Sequence, residues 1–387
     1  MLKDLFLLDP QVIFLNHGSF GACPRPVFEN YQAWQRKLEL EPVQFLGVEL
    51  DNYLQQSRQK LGEYVNASSN DLVYIPNDTY GVNIVARSLK LNPGDEILST
   101  DHEYGACNFT WEFMCKKTGA VYKQQPIGMP VTSAEQIVEQ LWQGVTSKTK
   151  LIFISHISSP TSLTMPVQMI CQRAHQSGIL TLIDGAHAPG QISLDLSSIH
   201  SDFYIGNCHK WMLSPKGAGF IYARPEVQNL VEPLIVSWGY QSRISAPRES
   251  TFVDDLQWSG TRDPSAALAV PGAIEFMKTY HWENVRWICH SMLHDAMERI
   301  GELTRMAPLY QMDSDFYQQM GTIPIPTVKD IKELKVRLYN EYKIEIPCVE
   351  WNNRQFLRLS VQGYNTAEDI DQLISALAEL LPKMISG

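Results

Sequence analysis

Lys210 follows directly on the apolar run Phe203–Tyr–Ile–Gly206, inside the stretch NCHKWMLSPKGAGFIY. An ammonium at the end of a core strand gives up solvation, so a lysine there needs a reason. Asp184 closes another apolar run, Leu180–Ile183, 26 residues earlier, and the turn after it, GAHAPG, carries His187. His209 immediately precedes the lysine. In an open α/β sheet, ligands sit at the carboxyl ends of the strands. Asp184, His187, His209 and Lys210 are therefore expected to face one crevice.

An amine facing a carboxylate across a small-molecule pocket suits pyridoxal phosphate. That cofactor needs an amine to form a Schiff base and an acid near its pyridine nitrogen. Desolvation and neighbouring cations make a lysine nucleophilic. The plainer alternative is a lysine that snorkels to the surface and an aspartate that caps a turn. A phosphate also needs a cradle. Asp78 and Thr79, in PNDTYGVN between a strand and a helix, offer a hydroxyl and helix-start N–H groups, or else an ordinary N-cap. His102, in STDHEY, suits stacking on a planar ring or a structural hydrogen bond. Arg358, in the apolar run FLRLS, suits a substrate carboxylate or a structural salt bridge.

The elements that position these residues read as alternating strands and helices. Strand-like runs fall at 72–75, 96–100, 151–156, 180–184, 202–206 and 218–224. Helix-period segments lie at 80–89, 107–118, 134–145 and 168–177. That alternation predicts an α/β fold, a mostly parallel sheet covered by helices on both faces. After Trp258 the pattern changes. Helices are expected over 264–280, 283–305, 328–342 and 367–384, with strand-like runs at 318–325, 344–349 and 356–361. This is a smaller α+β domain, so the expected division is 1–260 and 261–387, with the first 23 or so residues packing on either unit.

Composition excludes several classes. The 387 residues carry a formal charge of −10, with no basic stripe for a phosphate backbone. No apolar run approaches the ~20 residues of a membrane span. The N-terminal MLKDLFLLDPQVIFL reads as structure rather than a signal peptide. Seven cysteines without a C-x-x-C pair fit free thiols in a reducing cytoplasm, and the N-x-[ST] matches at Asn66, Asn77 and Asn108 then read as chance. There is no G-x-S-x-G or Walker-type sequence.

Taken in order, Thr79, His102, Asp184-x-x-His187, His209-Lys210, Trp258-Ser-Gly-Thr261 and Arg358-Leu-Ser360 resemble the fold type I pyridoxal-phosphate enzymes of the class V aminotransferase family. The opening Asn16-His-Gly-Ser-Phe-Gly21 and the N-x-HKW around Lys210 resemble its isopenicillin N epimerase-like branch. The resemblance implies a Schiff-base lysine at Lys210, Asp184 at the pyridine nitrogen and His102 on the ring face. It implies His187 near the phenolic oxygen, with Ser158 or Ser159, and Asp78, Thr79 and His209 around the phosphate. It also implies Gly260 and Thr261 reaching the phosphate of a neighbouring subunit in a homodimer. Arg358 would hold the substrate carboxylate, with Asn16, His17 and Tyr104 at the substrate.

For the reaction, the resemblance leaves an amino-acid epimerase and a cyst(e)ine-type C–S lyase side by side, with transamination third. Epimerisation needs a second proton carrier, for which Tyr104 and His17 are the candidates. Desulfuration needs a reactive cysteine before the arginine. Cys348 has strand-like apolar neighbours, which raises a thiol pKa, so desulfuration is disfavoured. The reading from another class is a metal-dependent hydrolase using Asp184, His187 and His209, although Lys210 would repel the cation and no H-E-x-x-H accompanies them. His290 and His294, four apart, read as one face of a helix.

Overall fold

The computed structural model describes residues 2–243 and 250–385. Ile13–Phe14 (β1) pairs in parallel with a strand more than 300 residues further on, Ile344–Glu345. The strands that follow β1 in the chain are Leu72–Ile75 (β2), Glu96–Thr100 (β3), Val121–Gln125 (β4), Thr149–Ser155 (β5), Leu180–Gly185 (β6), Phe203–Asn207 (β7) and Gly219–Ala223 (β8). They form one seven-stranded sheet in the order β2-β8-β7-β6-β5-β3-β4. The run from β4 to β7 is parallel, and β8 lies antiparallel to both β7 and β2.

The central strands are apolar on both faces because helices cover both sides. Leu182 and Ile205 face one hydrophobic layer, with Val82, Val85 and Trp111 from the helices Asp78–Ser88 and Gly105–Thr118. Ile183 and Tyr204 face the other, with Leu141 and Ile170 from the helices Ala134–Trp142 and Val167–Gln176. Consecutive residues thus serve opposite cores, which is why the sequence shows unbroken apolar runs instead of alternation. β4 departs from that pattern. Its sequence VYKQQ has no apolar run, and it is a half-exposed edge strand held by pairing with β3 along its whole length. Periodicity therefore did not reveal it.

The smaller unit holds Met320–Ile325 (β9), the strand Ile344–Glu345 (β10), Cys348–Trp351 (β11) and Arg354–Ser360 (β12). β11, β12 and β9 make an antiparallel sheet, backed by the helices Trp282–Thr304, Ile331–Tyr342 and Ala367–Met384. Two expected elements are divided. Residues 264–280 form two helices, Ser265–Leu268 and Val270–Thr279. The second restarts with Pro271 in its first turn, where a missing N–H costs nothing. The run at 344–349 is cut by Pro347 into β10 and β11. Both short helices pack on the helices Arg25–Leu40 and Leu50–Val65.

Between β1 and these N-terminal helices, the segment NHGSFG is wedged against β12 and the Lys210 turn. The Ser360 N–H donates to Leu15 O, and the Gly18 N–H donates to Ser360 Oγ. A Cβ on Gly18 would stand 2.6 Å from Met320 Sδ. Gly21 has φ +69°, and a Cβ there would stand 2.2 Å from the His209 carbonyl oxygen. Only glycine lets the chain pass this close to the lysine.

Candidate active site

Asp184 stands at the end of β6, 3% exposed, and its Oδ1 accepts the Ala186 N–H at 2.9 Å. β7 runs beside β6 in parallel register, Gly185 opposite Gly206, so the turn Cys208–Lys210 emerges next to Asp184. Asn207 closes β7, and its Oδ1 accepts the Asp78 N–H at 2.9 Å. That bond ties the lysine strand to the start of the Asp78–Ser88 helix, whose N-cap is Asn77, accepting from the Tyr80 N–H at 2.9 Å.

These elements enclose a cavity of about 230 Å³. Of the residues singled out in the sequence, Asp78, Thr79, Tyr104, Ser159, Asp184, His187, His209 and Lys210 line it. Ser19, Phe20, Ser155 and Asn207 line it too, and sequence reasoning had given them no site role. Ser19 and Phe20 sit in the NHGSFG segment, which was the available signal; Ser155 had none beyond ending a strand. A larger cavity of about 540 Å³ lies between the helices Leu50–Val65 and Trp282–Thr304 and contains none of these groups.

Lys210 Nζ lies 3.3 Å from His187 Nε2. Desolvation lowers its pKa to about 8, opposed by the charges of Asp78 and Asp184 and reinforced by Arg358. His187 takes the Trp211 Nε1–H on its Nδ1 at 3.3 Å, and burial, then the charge of Lys210, keeps its imidazole neutral. His209 donates from Nδ1 to the Ala218 carbonyl at 2.9 Å, and burial lowers its pKa to about 4, leaving Nε2 as its free ring nitrogen.

Arg358 is 8% exposed and sits on β12 behind the cavity wall. Its Nη1 donates to Ser159 O and Oγ, both at 2.9 Å, and its Nη2 to Ser19 Oγ at 3.0 Å. Its Nε has no partner, and among the described residues no carboxylate pairs with it. Burial lowers its pKa to about 10. A buried guanidinium without a counter-ion is a site waiting for an anion.

Several expected residues stand elsewhere. His102 is fully buried and outside the cavity lining: Nδ1 meets Thr161 Oγ1 at 2.7 Å, Nε2 meets Ile127 O at 3.0 Å, and the ring packs 4.5 Å from that of Trp351. Tyr104, two residues on and 48% exposed, reaches the cavity instead. Ser158 is spent on Thr161 at 2.7 Å. His17 Nε2 donates to the Lys210 carbonyl at 3.1 Å, its Nδ1 meets Tyr364 OH at 3.0 Å, and burial lowers its pKa to about 3. Asn16 bonds Glu345 at 2.8 Å and Ser19 at 2.5 Å. Gly260, at φ +111°, and the exposed Thr261 lie outside this chain's own cavity lining. Cys348 is in β11 opposite Leu357, its thiol pushed up to about 12 by burial. His290 and His294 bond Gln318 O and Tyr317 OH, both at 2.8 Å, and so fasten a loop. Asp184, His187 and His209 do not converge as cation ligands, since His187 faces Trp211 and Lys210 while His209 turns to Ala218.

Residues 23–373 match the family model for aminotransferase class V. The chain belongs to the class V aminotransferase family. The isopenicillin N epimerase of Amycolatopsis lactamdurans is 32% identical, over 98% of this chain and 97% of the relative. An L-cysteine desulfhydrase of Arabidopsis thaliana is 25% identical, over 95% of this chain and 87% of its own length. Among solved structures, a variant of C-DES with glycine covalently linked to its PLP cofactor superposes with TM-score 0.83 at 20% identity, covering 96% of this chain and 97% of that one. The fold is therefore that of the fold type I family members: a large sheet covered by helices and a smaller antiparallel unit.

Proposed function

We propose that this class V family member is a pyridoxal-phosphate enzyme acting at the α-carbon of an amino acid, as an epimerase or a cyst(e)ine-type C–S lyase. The observation that carries the reading is the shared cavity of Lys210, Asp184 and the Asp78–Ser88 helix start, backed by the unpaired Arg358 guanidinium. The donor set fits the cofactor: an amine with lowered pKa, a buried carboxylate, and helix N–H groups with Thr79 and His209 for a phosphate. Bound pyridoxal phosphate supplies an aldehyde that captures an amino group and an electron-poor ring that absorbs the charge left when the α-proton departs.

The chain's own residues do the rest. Lys210 Nζ would hold the cofactor's aldehyde carbon, and its free amine would serve as the base for the substrate's α-proton. Asp184 holds the proton of the pyridine nitrogen. His187, with Trp211 on its Nδ1, has its proton on Nε2 and would offer it to the cofactor's phenolic oxygen. Thr79 and His209 hold the phosphate; the Asp78 N–H is already spent on Asn207. Arg358, steadied by Ser19 and Ser159, binds the substrate carboxylate. We assign Tyr104, not His102, to the cofactor ring face, and in epimerisation to the return of a proton on the second face. His17 lies outside the cavity lining with both ring nitrogens engaged, so it is left as a support for the Lys210 backbone.

Names among the relatives support both reactions: isopenicillin N epimerase and L-cysteine desulfhydrase. Cys348, held in a strand with a raised pKa, gives desulfuration no nucleophile. We further read the protein as a homodimer in which Gly260 and Thr261 serve the neighbouring site; the exposed cavity residue Phe20, at 74%, supports a covering partner. The division near residue 260 and a reducing cytoplasmic setting for seven free cysteines belong to the same reading. Among the described residues no helix is long and apolar enough to cross a membrane.

The deciding experiment incubates cofactor-loaded protein with single enantiomers of amino acids and with L-cystine and L-cysteine. Chirality, sulfide and pyruvate are then followed. Loss of optical purity selects the epimerase, and sulfur products with pyruvate select the lyase. Protein that acquires no cofactor absorbance overturns both.

A further inference from the structure

Asp78 is left without a task by this scheme, and its surroundings are unusual. The side chain lines the cavity at 4% exposure, yet its Oδ1 has no hydrogen-bond partner. Its carboxyl lies beside that of Asp184: one oxygen of each and Cys107 Sγ stand within 4.8 Å of one another. Cys107 Sγ stands 3.9 Å from Asp78 Oδ2 and 3.7 Å from Asp184 Oδ2, so a single thiol spans the two carboxyls.

Two carboxylates side by side in a buried site do not both ionise, so one of the pair keeps a proton. The surroundings decide which residue keeps it. Asp184 Oδ1 accepts the Ala186 N–H at 2.9 Å, a donor that favours the anionic form. Asp78 starts a helix, whose N-terminus favours an anion. Its own N–H, however, is spent on Asn207 Oδ1, and its Oδ1 receives no donor. Burial, then the Asp184 charge, pushes the Asp78 carboxyl well above the usual carboxylate range. The titratable groups around Asp78 are Asp184 on β6, Cys107 on the Gly105–Thr118 helix, Tyr204 on β7 and Lys210 beyond β7. Glu103, past the end of β3, acts on Asp184's side of the cluster.

We propose that Asp78 carries a proton at neutral pH and donates it in a hydrogen bond to Asp184, weakening the hold of Asp184 on the proton of the cofactor's pyridine nitrogen. The inference rests on the pyridoxal-phosphate reading above and deepens it. A carboxylate that already accepts from Ala186, Cys107 and Asp78 is a weaker base toward a fourth donor. Asp78 is thus a positioning residue that sets the strength of the electron sink, and it touches neither substrate nor the reacting carbon.

Two measurements test it. Infrared difference spectra of cofactor-free wild type against Asp78→Asn, at neutral pH, are expected to show a protonated-carboxyl band that the variant lacks. No such band overturns the proposal. In the holoenzyme, ¹⁵N-labelled pyridoxal phosphate reports the titration of the pyridine nitrogen. Asp78→Ala, which removes the donor, is expected to move the titration midpoint up. Asp78→Asn, whose amide still donates to Asp184, is expected to leave it near wild type. An unmoved midpoint in Asp78→Ala, a downward shift, or equal shifts in both variants each overturns the proposal; a merely structural role would change cofactor affinity without an upward shift. If Asp78→Ala does not fold, Asp78→Val, which also lacks the donor, takes its place in the same titration. Wild-type protein that takes up no pyridoxal phosphate overturns the cofactor reading and the sink-tuning role together. The infrared arm then separately decides whether Asp78 is protonated.

Discussion

The Trp211 indole N–H points at His187 Nδ1 across 3.3 Å, and this fixes which ring nitrogen of the histidine bears its proton. Trp can only donate, so Nδ1 accepts. Burial keeps the imidazole neutral, so the proton sits on Nε2, 3.3 Å from Lys210 Nζ. A neutral Nε2–H needs an acceptor, and an amine with a free lone pair is one. The tryptophan that follows the lysine in sequence therefore favours the amine form of that lysine, through a histidine 23 residues upstream.

The first prediction concerns that amine. Its folded-state pKa is about 8, below the ordinary lysine value of 10.5. Between these values the folded protein has released a proton that the unfolded chain still holds, so stability rises with pH across that window. Below about 8 the charged amine costs the fold. Cofactor-free Lys210→Met is expected to melt higher than wild type at neutral pH, with the gap closing as pH rises toward 10.5. Cofactor uptake, followed by absorbance, is expected to quicken through about pH 8 in wild type. In Lys210→Ala, borohydride is expected to fix no cofactor, and turnover to fall by about 10²–10⁴-fold or more.

Arg358 gives a separable effect. Removing a charge-assisted hydrogen-bond donor to substrate costs about 1.5–3 kcal/mol, roughly 10- to 100-fold in kcat/KM. Arg358→Leu is expected to show that loss with unchanged cofactor absorbance, because the guanidinium stands behind Ser19 and Ser159 and outside the cavity lining. Arg358→Lys is expected not to restore it, since one ammonium cannot serve both serines and a carboxylate as a fork does. Loss of cofactor absorbance in the leucine variant would contradict this placement.

His102 and Tyr104 are expected to fail in opposite ways. His102→Ala removes two buried hydrogen bonds and the packing on Trp351, and leaves Thr161 and Ile127 O short of partners. A stability loss of about 2–4 kcal/mol in urea is expected, from unsatisfied polar groups and the cavity together. Tyr104→Ala is half-exposed and is expected to cost little stability, but to weaken cofactor binding and turnover about tenfold or more. The reverse outcome would restore His102 to the ring face.

Acid sensitivity follows from the buried neutral histidines. His17 and His156 have folded-state pKa values of about 3 and about 4 against 6.5 when exposed, in both cases chiefly through desolvation. Below 6.5 the unfolded chain binds protons that the folded protein refuses, so stability falls as pH drops toward those values. Each group contributes a slope of up to about 1.4 kcal/mol per pH unit. Double substitution to Gln is expected to flatten denaturant midpoints between pH 6.5 and 4.

Gly21→Ala tests the approach of the N-terminal segment to the lysine turn. The positive φ and the His209 carbonyl together leave no room for a methyl group. A loss of about 1–3 kcal/mol is expected, with weaker cofactor retention because the neighbouring Lys210 turn is displaced.

The sequence by itself determined the large sheet, the positions of its buried strands along the chain and the placing of Asp184 and Lys210 in one crevice. Buried parallel strands are continuous apolar runs, and a charged residue ending such a run is visible as a break. It also marked Arg358, by the same contrast within β12. What it could not decide depends on contacts between distant segments. β4 is polar and owes its existence to β3, so no local pattern announced it. His102 and Tyr104 lie two residues apart, and only the packing of Trp351 from β11 decides which is buried and which reaches the cavity. His17 is tied to Tyr364, 347 residues away, a partner that no local pattern announces. Asp78 looked like a helix start, and only the folded chain sets its carboxyl against Asp184. Hydrophobic periodicity is local and survives in the sequence; the partner of a buried polar group is chosen by tertiary packing, because the cost of leaving such a group unpaired is felt only once water has gone.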